Sequence, residues 1–173
     1  MIPKEPAVPA LLDFPNPVNE TSARIVAGGV VGMATATVAL NKPWLMVPLV
    51  YGFAARVLTG PRLSPLGQLA TKVITPRLDR EHALVPGPPK RLAQGMGLAM
   101  STTALALHYR FGRTRAAYTV LGALIGAAGL EAFAGYCVAC RMFPFLIKLG
   151  LVSEQACEQC TDIWANRSVP TTV

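Results

Sequence analysis

Apolar residues run with little interruption from Arg24 to Leu40 (RIVAGGVVGMATATVAL). After Asn41 and Lys42 they resume from Pro43 to Gly60 (PWLMVPLVYGFAARVLTG). A hydrocarbon core is crossed by about 20 helical residues, and both runs, slightly short of that, predict a tight hairpin of spanning helices. Trp44 suits the membrane interface, and Pro48 is tolerated in a span where neighbours re-satisfy the freed carbonyl. Two more apolar runs follow, Leu92 to Tyr109 and Ala116 to Tyr136, joined by the short RFGRTR hairpin. Between the second and third runs, LSPLGQLATKVIT sets Leu63, Leu66, Leu69, Ala70, Val73 and Ile74 at helical spacing, with Ser64, Gln68, Thr71 and Lys72 opposite. That pattern predicts an amphipathic helix over about 63–75, lying on the bilayer or capping the bundle. The PRLDREHALVPGPPKR stretch after it is rich in proline and is expected to be a loop.

The resulting expectation is an all-α, integral membrane four-helix bundle. It comprises a Pro-rich segment 1–23, a transmembrane domain 24–136 with spans about 24–40, 43–60, 92–109 and 116–136, and a Cys-containing tail 137–173. Gly28 and Gly32 in the first span, and Gly122 and Gly126 in the fourth, are spaced as notches for close helix packing in lipid. The N-terminus lacks the basic start and continuous apolar core of a cleavable signal, so the first run is expected to be an uncleaved anchor. The NET triplet at Asn19 fits a glycosylation sequon and is read as coincidence.

Composition agrees with the membrane reading: 52% of residues are hydrophobic and only 14% charged. The net charge of +7 would suggest nucleic acid in a soluble chain, but the bases cluster between apolar runs and fit membrane lipids instead. No nucleic-acid partner is expected. Lys42, Arg110, Arg113 and Arg115 fall on one side of the four spans and all other Lys and Arg on the opposite side. This asymmetry places both termini in the cytoplasm. Lys90 and Arg91, held by two preceding prolines, are expected to be surface anchors.

All four cysteines lie late in the chain, as Cys137/Cys140 and Cys157/Cys160 with sixteen residues between the pairs. Two CxxC knuckles at this spacing supply the four soft ligands of a tetrahedral zinc site, and iron on the same thiolates is the weaker alternative. The competing reading is a redox dithiol at Cys137/Cys140, with Cys157/Cys160 as partner pair. A thiolate is best stabilised at a helix N-terminus, which requires a new helix after the fourth span, and Pro144 suggests one starting near Arg141. Arg141, next to Cys140, would add positive charge. Glu131, the only acid in the expected spans, lies six residues before Cys137. It is a candidate proton carrier or ion-pair member with Lys90, Arg91 or Arg24. His82 and His108 are expected to be ordinary loop and interfacial residues. Phosphate-loop, Ser-His-Asp and HExxH patterns are absent from the sequence.

The segments FPNPVNETSAR, GPRLSPLGQLATKVITPRL, PGPPKRLAQGMG and GYCVAC together resemble a family of small bacterial, chiefly actinobacterial, membrane proteins. That family is known as domain of unknown function four-three-nine-five. The resemblance implies a four-helix fold in the bacterial plasma membrane and no settled activity. It also points to a thioredoxin-like or sulfurtransferase protein as a partner. The first functional expectation is a multi-pass membrane protein whose cytoplasmic tail folds around zinc, in an interaction role or as an accessory subunit of a larger membrane complex. The second is a membrane thiol–disulfide oxidoreductase, and whether the chain is an enzyme stays open.

Overall fold

The computed structural model describes residues 18–77, 84–85 and 87–148. Cys157, Cys160 and His82, the N-terminal proline-rich segment up to Pro17 and the polar tail lie outside the described residues. The described chain is all-α apart from one short antiparallel pairing, β1 (Val18–Asn19) with β2 (Leu84–Val85).

Helix α1 spans Glu20–Ala39. It begins earlier than the apolar run because Asn19 caps it: the Asn19 carboxamide oxygen accepts from the Thr21 and Ser22 N–H groups at 2.9 and 3.3 Å. Asn19 thus has a structural role that the sequon reading does not express. A 3-10 turn at Pro43–Leu45 leads into α2, Met46–Thr59. Gly60 ends α2 at a φ of 64°, a conformation that other residues adopt at a cost.

The expected amphipathic helix is broken into α3 (Pro65–Gln68), a wider π turn at Leu69–Ile74 and a 3-10 turn at Thr75–Arg77. Its apolar face divides accordingly. Leu66 packs against the core and Ala70 is buried, whereas Leu63, Leu69 and Val73 are exposed. Helix α4 runs over Gly87–Tyr109, so GPPK is its first turn rather than the end of a loop. Proline is suited there, since its missing N–H would have no intrahelical partner. Helix α5 covers Thr114–Ala134, and α6 covers Val138–Lys148, in the stretch assigned to the Cys-containing tail and three residues before the helix start expected near Arg141.

Helix α5 packs against α1 and α4, α4 also against α2, and α6 against α4 and α5. The core between them holds Val30, Ala34, Met46, Leu49, Phe53, Ala104, Leu121 and Leu124. Close packing does not use the expected glycine pairs. A Cβ on Gly28, Gly32, Gly122 or Gly126 would meet nothing within 4 Å, whereas one on Gly97 would run into the Phe53 ring and one on Gly29 into Leu66. Among the described helices, α1 and α5 are long and apolar enough to cross a membrane. Helix α2, at 14 residues, is shorter than the about 20 that a span requires.

Candidate functional site

The site forms where α5 ends and α6 begins. Gly135 stops α5 in the left-handed region at a φ of 64°. The Gly135 and Tyr136 N–H groups donate to the Glu131 and Leu130 carbonyls, each at 3.1 Å. Arg24 satisfies two further terminal carbonyls, its Nε donating to Ala132 at 3.1 Å and its Nη2 to Phe133 at 2.9 Å. Arg24 therefore caps α5 and is not the partner of Glu131.

The turn at Gly135 delivers Cys137 directly in front of α6. Cys140 N–H points at Cys137 Sγ, 3.3 Å away, so the cysteine sulfur occupies the capping position usually held by an Asn, Asp, Ser or Thr oxygen. The two Cα atoms are 5.2 Å apart and the side chains are joined as a disulfide. Cys137 is 9% exposed, and Cys140 is the more accessible of the two. Arg141 is exposed, with its guanidinium 5.5 Å from the centre of the Tyr136 ring. The new helix thus starts at Val138, not near Arg141, and Cys137 heads a helix instead of trailing one.

Behind Cys137 lies an apolar cavity of about 90 Å³, walled by Val26, Phe53, Met96, Met100 and Leu124 and reached by Glu131. Glu131 Oε1 and Lys90 Nζ form an ion pair at 2.6 Å, with side-chain exposures of 13% and 9%. Of the three bases considered for Glu131, Lys90 in the first turn of α4 is the one that reaches it, and it is buried where a surface anchor was expected. Arg91 is exposed, and its Nε donates to the Val57 carbonyl at 3.1 Å, tying α4 to α2. His108 bonds Thr114 Oγ1 at 3.1 Å, at the turn between α4 and α5.

Residues 18–148 match the family described as Domain of unknown function (DUF4395). The chain belongs to that family. Cys137, Cys140, Glu131 and Lys90 all fall within the DUF4395 region, and Cys157 and Cys160 lie beyond it. No match was found among curated proteins or among solved structures. Among the described residues of this DUF4395 chain, no three of His, Cys, Asp and Glu gather as a metal site.

One buried residue was missed by sequence reasoning. Arg56 lies in the apolar run of α2 and was expected only as one of the bases on the cytoplasmic side of the spans, yet it is 5% exposed. The available signal was its position four residues before Gly60, inside the apolar segment rather than after it.

Proposed function

We propose that this chain is a membrane thiol–disulfide redox protein whose reactive couple is Cys137/Cys140. The observation that carries the reading is the position of Cys137 at the head of α6, with the Cys140 N–H directed onto its sulfur at 3.3 Å. A helix N-terminus favours negative charge through its unpaired N–H groups and dipole. A thiolate released at Cys137 is stabilised there.

The exchange begins at Cys140, the more accessible sulfur. A thiolate of a partner dithiol attacks Cys140 Sγ, the Cys137–Cys140 bond breaks, and Cys137 leaves as a thiolate. The partner's second thiolate then attacks its own sulfur in the mixed disulfide. The partner leaves as a disulfide, and Cys137 and Cys140 become a dithiol after taking up two protons. The partner is Cys157/Cys160 of the same chain, or a cytoplasmic thioredoxin-like or sulfurtransferase protein. Glu131 lines the cavity behind Cys137 and, paired with Lys90, serves as its proton reservoir.

A multi-pass arrangement in the bacterial plasma membrane, with both termini in the cytoplasm, accompanies this reading. Supporting it are the two long apolar helices and the outward-facing Trp44, Val47, Tyr51, Leu58, Phe111 and Phe133, which form more apolar surface than water tolerates well. The second reading, a zinc site on Cys137, Cys140, Cys157 and Cys160, is favoured by the spacing of the two CxxC pairs.

Trapping tests the exchange. In cells the reverse exchange is the one trapped. In Cys137→Ser the Cys140 thiolate attacks the partner's disulfide, and one partner sulfur leaves as a thiolate. With no Cys137 to resolve it, a reducible mixed disulfide is expected to accumulate, far less so in Cys140→Ser. Repeating the experiment with Cys157→Ser/Cys160→Ser tells an internal partner from an external one. Absence of any mixed disulfide in every variant contradicts the proposal.

A further inference from the structure

A second cavity, of about 150 Å³, lies at the ends of α1 and α2, between Asn19, Ser22, Arg56, Thr71, Lys90 and Gln94. Two cations line it, and they differ in one respect. The charge of Lys90 is answered by Glu131 at 2.6 Å. Arg56 has no carboxylate partner among the described residues. Its Nε donates to Gln94 Oε1 at 2.7 Å and its Nη1 to Ser64 Oγ at 3.1 Å, while its Cζ sits 4.6 Å from the centre of the Phe53 ring. Its Nη2 is buried and makes no hydrogen bond.

A guanidinium removed from water without an opposing charge is costly, and neutral acceptors plus one ring face recover only part of that cost. Buried cations of this kind persist where something compensates them, and in apolar helices they mark binding sites by default. The Gln94 and Ser64 contacts fix the plane of the guanidinium and leave the Nη2 donors for a further acceptor. Arginine's fork matches the spacing of oxygens on an oxyanion. The cavity is small, which excludes nucleotide-sized ligands and admits a single charged group. Its position at the helix ends, where Asn19 caps α1 and Gly60 terminates α2, corresponds to headgroup depth if these helices cross a bilayer.

We infer that Arg56 and this cavity bind one phosphate-type oxyanion, supplied either as a free anion or as a phospholipid headgroup. The site shares Val26 and Gln94 with the cavity behind Cys137, but the inference does not depend on thiol chemistry.

The test uses the full chain in nanodiscs. In phosphatidylcholine alone, inorganic phosphate is titrated against thermal unfolding. A saturable rise in melting temperature identifies a free-anion site. In nanodiscs containing phosphatidylglycerol, followed by native mass spectrometry, retention of one phospholipid per chain identifies a headgroup site. Either response is expected to weaken roughly 30-fold or more in Arg56→Met, because a buried charge contact is lost. Arg115→Met, which removes an exposed cation that does not line the cavity, keeps it. Arg56→Lys guards against a folding failure of the first variant: it retains the charge without the fork, and its binding is expected between wild type and Arg56→Met. No response in either nanodisc, or a response that both Arg56 variants leave unchanged, overturns the inference.

Discussion

Lys90 follows two prolines at the head of α4, and from its sequence neighbours alone it is an ordinary basic anchor. Its contact with Glu131 changes that, because two charges of low exposure meet at 2.6 Å. Removing one member of such a pair leaves the other uncompensated. Glu131→Gln is therefore expected to cost about 3 kcal/mol in denaturant unfolding of the purified protein. Lys90→Met/Glu131→Leu, which removes both charges, is expected to come within about 1 kcal/mol of wild type. A loss below about 0.5 kcal/mol for Glu131→Gln would show that the pair is too solvated to hold α4 to α5. Glu131 itself was legible, since an acid in an apolar run requires a partner. Arg56 was less so, because a base near the end of a run reads equally well as the start of the next loop.

Among the elements, the long helices were legible because unbroken apolar runs leave few alternatives, while their ends were set by chemistry that hydropathy does not register. Asn19 moved the start of α1, and a proline-tolerant first turn moved the start of α4. The start of α6 was hidden for a related reason: the cap is a cysteine, and the residues that usually announce a helix start are Ser, Thr, Asp and Asn. Gly135 makes the α5–α6 turn possible at a φ of 64°. Gly135→Ala places a Cβ in that left-handed conformation and is expected to cost about 1 kcal/mol of stability. Thiol alkylation of Cys137 should change along with it, because the cap geometry depends on the turn. A variant as stable as wild type would mean that the turn can relax without its glycine.

For the whole molecule, the apolar pattern led to an all-α chain and the resemblance of its motifs led to the DUF4395 family, and both hold. Long-range packing was not readable in the same way. The GxxxG pairs point into open space, and the close approach is made instead by Gly97 against Phe53, since contact depends on which helix faces meet and not on spacing within one helix. The proposed orientation, with both termini in the cytoplasm, rests on the distribution of bases and has its own check. An impermeant maleimide is expected to label Cys157 and Cys160 in inverted vesicles but not in intact cells; labelling in intact cells would reverse the topology.

The redox reading and the zinc reading make opposite demands on the same cysteines. The direct measurement is metal content together with a thiol titration of the full chain purified in mild detergent, before and after a reductant and then a chelator. A redox couple at Cys137/Cys140 is expected to hold no stoichiometric metal and to gain two alkylatable thiols on reduction, lost again on reoxidation. About one zinc per chain, with all four thiols unreactive until the chelator removes it, would contradict the account.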